Sequence, residues 1–347
     1  MKAEYRQHIL NFKRPSGTSR GILRTKETWF ILLEEAGKFG IGECGLLRGL
    51  SVDDRPDYEE KLAWTSTNIH LGFEVLYAAL TEFPSIQMGL ECAFLSLQAE
   101  DPFQLYPHAF SEGRAEIPIN GLIWMGEQQF MLDQVEEKLA QGFSCIKMKV
   151  GAIAFEQELA ILKQIRARYS KEEMVLRVDA NGAFGADAPA KLQQLAELDL
   201  HSIEQPIPQG NWEEMRKLCA STPLPIALDE ELIGVFSREE KIALLEEIQP
   251  QYIILKPSFI GGLRGAIEWT ALAKERGIGA WVTSALESNI GLNAIAQWTY
   301  AHAFDGHQGL GTGSLFTNNF PSPLLIKNGY LSVDKSLAWN TRDLQAI

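Results

Sequence analysis

Short apolar runs alternate with amphipathic segments through most of the chain, and five of these runs end in a charged side chain. The runs are CIKMKVG, MVLRVDANG, LHSIEQP, PIALDE and YIILKPS. Their charged ends recur about 25 to 30 residues apart, which is the length that a strand, its covering helix and two loops occupy. The pattern predicts consecutive βα units with a charged residue at the same place in each.

The βα rhythm begins near Ile117. IPINGLIW is the first predicted strand, the five charged runs come next, GIGAWVTSALES is the seventh strand and FDGHQGLGTG is an irregular eighth. Helices are predicted between the strands, for example from about Met125 to Gln141 and from about Gly291 to His302. We therefore predict an α/β fold, a (β/α)7β TIM-like barrel, with the charged residues at its C-terminal mouth.

The first hundred residues follow a different pattern. TWFILLEE and KFGIGEC alternate apolar and polar residues on either side of Ala36-Gly37, which predicts a β-hairpin. Apolar residues then fall at helical spacing from about Tyr58 to Glu100. We predict an N-terminal α+β capping domain at 1–112, completed by the strand-like tail at about 320–347, and a barrel at 113–319.

A basic segment, KRPSGTSRG, lies before these two predicted strands. It runs from Lys13 to Gly21, contains Gly, Ser and Pro, and shows no periodicity. With Arg24 it brings together four cationic residues, the others being Lys13, Arg14 and Arg20. This composition predicts an exposed, mobile loop.

Composition narrows the possible partners. The chain has 347 residues, 46% of them hydrophobic, and a net charge of −13, which argues against nucleic acid because phosphate binding needs clustered cations. The four cysteines show no CxxC spacing, so buried free thiols are expected. No apolar run approaches the roughly 18 residues of a membrane span. We expect a cytoplasmic protein without a membrane partner, and an oligomer is possible.

Three of the strand-end residues are carboxylates. Asp179, Glu204 and Asp229 are oxygen ligands without Cys or His at matching positions, a set that suits Mg²⁺, or Mn²⁺, rather than zinc. Asp229 is followed by Glu230 and Glu231, so spacing alone leaves the third ligand open.

Three lysines are predicted to accompany the carboxylates. Lys147 and Lys149 are two residues apart on a strand and therefore point to the same face. The like charge lowers the pKa of such a pair, so one of them can be neutral near pH 7 and act as a base. Lys256 faces them as a second base, an acid or a stabilising cation. A hard metal beside facing lysines indicates abstraction of a proton α to a carboxylate.

These motifs together resemble one known family across essentially the whole chain. They are KMK at 147–149, DAN at 179–181, EQP at 204–206, DE at 229–230 and KP at 256–257. The chain is identified by them as a member of the enolase superfamily, muconate-lactonizing subgroup. In that family an α+β domain caps the barrel mouth.

A closer similarity rests on Arg177, KPSFIGG at 256–262 and TSALESNIG at 283–291. In these motifs the chain resembles the enzymes that form 2-succinylbenzoate in menaquinone biosynthesis. The resemblance implies metal-dependent syn dehydration of 2-succinyl-6-hydroxy-2,4-cyclohexadiene-1-carboxylate. It implies that Lys149 removes the ring proton and returns it to the leaving hydroxyl, and that Lys256 stabilises the enediolate.

The implied substrate is a small dicarboxylate, and the metal takes one of its carboxylates. The basic loop from Lys13 to Arg24 and the segment after Gly42 are predicted to close over it. Contacts to the other carboxylate are expected mainly from the end of the seventh strand. The predicted substrate-binding residues are Arg177, Asn181, Ser284, Glu287, Ser288 and Asn289.

Other functions remain compatible with the residues. Racemases and epimerases of the subgroup use the same two lysines as opposed acid and base. Dipeptide epimerases carry a DxD element on the last barrel strand, where this chain has Asp305 alone. Muconate cycloisomerases have no positive signal here. Outside the family, a Schiff-base aldolase would need one lysine but no carboxylate triad, and an inert binding barrel would normally have lost a base or ligand.

Overall fold

The alternating N-terminal segments form an antiparallel sheet, as predicted. The computed structural model describes residues 1–18, 21–151, 153–341 and 344. The strands of this sheet, in spatial order, are β1 (Lys2–Thr18), β2 (Gly21–Glu35) and β3 (Lys38–Cys44). Ala36 and Gly37 connect β2 to β3 with φ of 51° and 79°, as a tight hairpin requires.

The basic segment is not the irregular loop that its composition predicts. Its described part extends the β1–β2 hairpin, with Ser16 opposite Leu23, after a shift in register between Asn11 and Ser16. Most side chains of this extension are exposed. A hairpin that buries neither face leaves no alternating pattern in the sequence, so periodicity could not reveal it. Ser19 and Arg20 lie outside the described residues.

Three helices complete the capping unit. They are α1 (Tyr58–Thr67), α2 (Phe73–Ala79) and α3 (Pro84–Gln98). Helix α3 packs directly on β3, since a Cβ on Gly42 would overlap the carbonyl oxygen of Gly89. Apolar side chains of β2 such as Ile31 and Leu33 form a core with α3 residues.

Seven parallel strands form the barrel wall in chain order. They are β5 (Gly121–Ile123), β6 (Cys145–Lys149), β7 (Val175–Asp179), β8 (Ser202–Glu204), β9 (Ile226–Leu228), β10 (Tyr252–Leu255) and β11 (Gly279–Val282). The helices between and after them are α4 (Gln128–Ala140), α5 (Phe155–Arg168), α6 (Ala188–Ala196), α7 (Trp212–Ser221), α8 (Arg238–Ile248), α9 (Gly262–Glu275) and α10 (Asn289–Ala301).

An irregular eighth segment closes the barrel, as predicted. Gln308 bridges to Ile119, and Gly309 bridges to Thr283, both in parallel orientation. The first barrel strand is shorter than predicted, because β4 (Ile117–Pro118) belongs to a separate sheet.

That separate sheet contains the tail hairpin. Strands β12 (Leu324–Lys327) and β13 (Tyr330–Val333) are joined by Asn328 and Gly329, and β13 pairs with β4. The hairpin therefore pairs with β4 and not with the strands of the capping sheet. That the tail completes the capping domain stays a prediction. Further along, Trp339 stacks on Phe103 at 4.4 Å, and Leu344 packs with residues of β2. The division at 1–112 and 113–319 remains a proposal.

The cysteines and the helices can be compared with what the sequence predicts. The four cysteines, Cys44, Cys92, Cys145 and Cys219, are buried free thiols. Among the described residues, no helix is long and apolar enough to cross a membrane.

Candidate active site

The predicted carboxylates lie side by side at the C-terminal ends of adjacent strands. Lys149 at the end of β6 is in register with Asp179 on β7, which is in register with Glu204 on β8. Asp229 follows β9 directly. Because the strands are parallel, their C-terminal ends meet at one mouth. All three carboxylates are buried.

The three predicted lysines contact these carboxylates. Lys147 Nζ lies 2.9 Å from Asp179 Oδ2 and also forms an ion pair with Glu204. Lys149 Nζ lies 2.9 Å from the same Asp179 oxygen. Lys256 forms an ion pair with Asp229 and lies 3.9 Å from Glu204 Oε1. The structure thus places the lysines and carboxylates in one charged network.

The electrostatics of this network differ from the prediction for one lysine. Burial disfavours the ammonium of Lys147, but Asp179, Glu204 and Asp229 outweigh it and raise its pKa. The pKa of Lys147 is therefore raised by the three carboxylates and not lowered by repulsion between the lysines. Burial also opposes ionisation of Asp179, yet the nearby ammonium groups, Lys147 first, lower its pKa.

The pKa of Lys256 and the pKa of Glu204 are both raised, but for different reasons. Burial disfavours the Lys256 ammonium, but Asp229 and then Glu204 outweigh it and raise its pKa. Burial, with repulsion from Asp179, raises the pKa of Glu204 well above its ordinary value. The Glu204 oxygens form ion pairs with Lys147 and Lys256 but accept no hydrogen bond of normal geometry from any described residue. Glu204 is the carboxylate whose charge is least well compensated.

The carboxylates do not converge on one point. Within the described ranges, no three side chains of His, Cys, Asp or Glu lie close enough together to hold a metal ion. Lysine ammonium groups instead bridge the carboxylates, Lys147 between Asp179 and Glu204 and Lys256 beside Asp229. The predicted metal ligands are therefore neighbours, but in this arrangement lysines balance their charge.

A cavity of about 700 Å³ opens above the network. Lys147, Lys149, Asp179 and Lys256 line its charged end. The remaining wall is mixed, with apolar side chains such as Trp124, Phe130 and Leu286. A cavity of this size suits a small organic ligand.

The capping unit covers this cavity with the two segments that were predicted to close over the substrate. Residues 13–16 of β1 and Leu23 of β2 line it, as do residues 47–50 after β3. Arg14 Nη1 lies 3.3 Å from Glu137 Oε2 on α4. The basic hairpin therefore lies at the cavity, in strand rather than loop conformation.

Two predicted substrate-binding residues lie at different depths. Asn181 lines the cavity, and its Oδ1 accepts a hydrogen bond of 2.5 Å from Lys149 Nζ. Arg177 does not line the cavity. It lies one layer deeper, where its guanidinium stacks on Trp281 at 4.1 Å and donates to the carbonyl of His307 at 2.8 Å.

The predicted substrate-binding residues after β11 also differ in whether they line the cavity. Ser284 lines the cavity and shares a hydrogen bond of 2.6 Å with Thr312. Glu287, Ser288 and Asn289 do not line it. Their polar groups are already used within the protein. For example, the Asn289 amide donates to the carbonyl of Phe320 at 2.7 Å. In this arrangement their polar groups do not face the cavity, and a role for them in substrate binding stays a prediction.

Sequence reasoning missed charged residues behind the mouth. Lys26 and Glu43 of the capping sheet are both buried, near Glu287. The burial of Lys26 could have been predicted from the sequence. Its side chain points to the same face of β2 as those of Thr28, Phe30 and Leu32, which are all buried. A lysine on a buried strand face is unusual unless it is paired or functional.

Comparison with known proteins identifies the relatives of this chain. The family described as "Enolase C-terminal domain-like" matches residues 131–337. An o-succinylbenzoate synthase from Desulfotalea psychrophila is 46% identical, covering 96% of this chain and 99% of the relative. An N-succinylamino acid racemase from Thermus thermophilus is 30% identical, covering 63% of this chain and 58% of the relative.

Solved structures have the same architecture. The crystal structure of MenC from Desulfotalea psychrophila superposes with a TM-score of 0.85 at 43% identity, covering 96% of this chain and 99% of that one. The dipeptide epimerase from Enterococcus faecalis, complexed with Mg and a dipeptide, superposes with a TM-score of 0.83 at 19% identity, covering 96% of each chain. The fold, the full-length similarity and the lysine–carboxylate mouth lead to one assignment. The chain belongs to the enolase superfamily, in its muconate-lactonizing-like group alongside the o-succinylbenzoate synthases.

Proposed function

We propose that the protein catalyses the o-succinylbenzoate synthase reaction, a syn dehydration of 2-succinyl-6-hydroxy-2,4-cyclohexadiene-1-carboxylate in menaquinone biosynthesis. The observation that carries the chemistry is that Lys149 and Lys256 line one cavity from different strands, with carboxylates between them. The specific substrate follows the relative that is 46% identical over nearly the whole chain. The product differs from the substrate by one water molecule.

Asp179, Glu204 and Asp229 would hold a divalent cation, Mg²⁺ or Mn²⁺. Their all-oxygen chemistry fits a hard cation, and the buried oxygens of Glu204 lack hydrogen bonds of normal geometry from the described residues. Holding the cation requires the ammonium groups of Lys147 and Lys256 to move aside. When bound, it would supply positive charge to a substrate carboxylate and acidify the α proton. The Mg-bound dipeptide epimerase of the same fold supports this assignment.

Lys149 carries the proton, and Lys256 stabilises the negative charge that forms. Lys149, as a neutral amine, takes the ring proton α to the carboxylate, and the electron pair moves into the carboxylate to form an enediolate. The ammonium of Lys149 then gives the proton to the departing hydroxide, which leaves as water while the ring becomes aromatic. Lys256 remains an ammonium and stabilises the enediolate charge. One residue serving both steps explains why elimination is syn.

Asn181 orients the base. Its Oδ1 accepts from Lys149, its backbone N–H donates to Asp179 at 3.0 Å, and its Nδ2 donates to Glu230 at 3.0 Å. The residue is held with φ of 45°, a strained conformation outside glycine. This arrangement fixes the direction from which Lys149 approaches the ring.

The metal requirement is tested by removing the metal and then one of its ligands. Treatment with EDTA should abolish dehydration, and added Mg²⁺ should restore it. Asp179→Asn should weaken Mg²⁺ binding, measured by calorimetry, by at least about ten-fold, whereas Asp187→Asn, at an exposed position beside α6, should leave it unchanged. Activity that survives EDTA, or an Asp179→Asn protein with normal Mg²⁺ affinity, would contradict the assignment.

Racemisation of an N-acylamino acid is a second candidate activity. Racemisation needs an acid and a base on opposite faces of the substrate, and Lys149 and Lys256, which both line the cavity, would serve as that pair. The similarity to an N-succinylamino acid racemase supports this candidate, although it covers only 63% of this chain. The dehydration substrate and an N-succinylamino acid share a succinyl carboxylate, so one cavity can accept both.

A further inference from the structure

A buried charged cluster lies at the interface between the capping sheet and the barrel. It consists of Lys26, Glu43 and Glu287, which we call the interface triad. Each is at most 3% exposed. None of them lines the cavity, so the triad plays no part in the chemistry proposed above.

Glu43 caps a barrel helix from the capping sheet. Its Oε1 accepts from the backbone N–H of Ser288 at 2.9 Å and from Thr28 Oγ1 at 2.7 Å. Its Oε2 accepts from the N–H of Gly291 at 2.9 Å and from Ser288 Oγ at 2.5 Å. Apart from Thr28, which lies on β2, these donors belong to the N-terminal end of α10, where Ser288 is the cap residue and a carboxylate is favoured by the helix dipole. Glu43 therefore fixes the capping sheet to the segment that follows β11.

Glu287 connects two segments of the barrel mouth. Its Oε1 accepts from Ser258 Oγ at 2.6 Å, two residues after Lys256. Its Oε2 accepts from the backbone N–H of Ala285 at 2.6 Å. The carboxylate thus joins the segment that carries Lys256 to the turn after β11.

Lys26 supplies the positive charge for both carboxylates. Burial lowers its pKa, and Glu43 and Glu287 oppose that effect, followed by Cys44 and Glu27. Its Nζ is buried and has no hydrogen-bond partner in the described part of the chain. Lys26 therefore acts on the carboxylates through its charge rather than through a hydrogen bond. Burial raises the pKa of Glu287, and removing Lys26 would make burial of both carboxylates less favourable.

The turn held by the triad is strained and faces the cavity. Leu286 has φ of 64°, a conformation that a branched residue rarely adopts. Ala285 and Leu286 line the cavity. The donors on either side of Leu286 are the N–H groups of Ala285 and Ser288, and they bind Glu287 and Glu43 respectively. The triad therefore flanks the strained residue on both sides.

We propose that the interface triad is a positioning device, in which Glu43 and Glu287 hold the turn after β11 through their hydrogen bonds, beside the buried Lys26, so that Leu286 is presented to the substrate. Lys26 is then a positioning residue on the capping unit, and Leu286 is a specificity-determining residue of the cavity. The inference rests on the proposed function only in taking this cavity to be the substrate site.

The test compares charge removal with charge rebalancing. Lys26→Met should raise KM for the dehydration substrate on the order of ten-fold, with kcat changed much less, because the turn shapes the binding site rather than the base. The double variant Lys26→Met with Glu287→Gln removes one negative charge as well and should return KM close to that of the wild type. Lys38→Met, an exposed lysine on β3, is the matched control and should behave as wild type.

A purely structural role would give a different result. It would lower the melting temperature of Lys26→Met while KM stayed normal, and Glu287→Gln would not restore anything. Either outcome overturns the proposal. If Lys26→Met does not fold, two other variants still test the proposal: the double variant and Leu286→Gly, which relieves the strained φ. A normal KM in Leu286→Gly would contradict the proposal. A double variant that folds but has a raised KM would contradict it as well.

Hydrogen exchange gives a readout that does not depend on activity. The amides of Ala285, Ser288 and Gly291 should exchange faster in Lys26→Met than in the wild type and recover in the double variant. If the wild type lacks dehydratase activity, the proposed function fails, and exchange alone then tests the triad. Unchanged exchange at these three amides would reject the triad whatever the activity.

Discussion

At the scale of single residues, the two lysines of β6 differ in their contacts. Lys147 is held between Asp179 and Glu204, whereas Lys149 reaches Asn181. Lys149→Ala should therefore lower kcat/KM by about 10²- to 10⁴-fold, the range for a lost acid–base group. Exchange of the substrate's α proton with solvent deuterium should also stop.

The control for this prediction is Lys163→Ala, an exposed lysine on α5 in the same βα unit. It should retain wild-type turnover and exchange. If Lys147→Ala lost far more activity than Lys149→Ala while still binding Mg²⁺, the roles of the two lysines would have to be reversed.

The sequence predicts residue positions well where a strand end defines them. Asp179, Glu204 and Lys149 lie in register because parallel strands align their ends. Arg177 shows the limit of that reasoning. Its side chain points to the same face of β7 as that of Asp179. However, Arg177 comes two residues earlier on the strand and so lies one layer deeper in the barrel, where its guanidinium is buried against Trp281. Hydrogen bonds such as those of Ser288 to Glu43 join residues far apart in the chain, so local patterns could not predict them.

At the scale of elements, the β1–β2 hairpin supplies positive charge at the cavity. Lys13 and Arg14 line the cavity, and Arg24 is exposed nearby on β2. Replacing Lys13 and Arg14 by Gln should raise KM for the dianionic substrate at low salt, because long-range attraction is lost. The melting temperature should not change, since exposed charges contribute little to stability.

Salt provides the control for the hairpin. The difference in KM between this variant and the wild type should shrink as ionic strength rises, because salt screens exposed charges. Lys2→Gln, at the exposed start of the same strand, should leave KM unchanged. Wild-type KM at low salt in the double variant would remove the hairpin from substrate binding.

Helix α3 carries a second testable element, the buried carboxyl of Glu91. It accepts from the backbone N–H of Arg264, in the first turn of α9, at 3.1 Å. Burial raises its pKa from 4.5 to about 7, against the lowering effect of N–H donors and the Arg264 charge. The folded state therefore holds a proton that the unfolded state releases between about pH 4.5 and 7. Because the unfolded state binds fewer protons in that window, stability falls as pH rises through it.

Glu91→Gln should remove this fall in stability. The wild type should lose up to about 3 kcal/mol relative to the variant between pH 4.5 and 7.5, measured by urea unfolding at both pH values. Glu60→Gln, at an exposed position on α1, is the control and should follow the wild type. Parallel pH profiles for wild type and Glu91→Gln would show that this carboxyl does not titrate abnormally.

At the scale of the whole molecule, the βα rhythm predicted the barrel and its irregular eighth strand, and the alternating segments predicted the capping sheet. The sequence did not predict the pairing partner of the tail hairpin. A two-residue strand such as β4 carries almost no periodicity, so its pairing with β13 is visible only in three dimensions. The capping unit and the barrel meet where Glu43 binds α10 and Glu91 binds α9, and such contacts leave no local sequence pattern.

We expect this cavity to serve the dehydration of a cyclohexadiene dicarboxylate. The most direct measurement is kcat/KM of the purified protein with Mg²⁺ on that substrate, beside the same measurement on an N-succinylamino acid. We expect dehydration with kcat/KM of at least about 10⁴ M⁻¹s⁻¹ and slower racemisation. Racemisation faster than dehydration, or no dehydration by a folded protein that binds Mg²⁺, would contradict it.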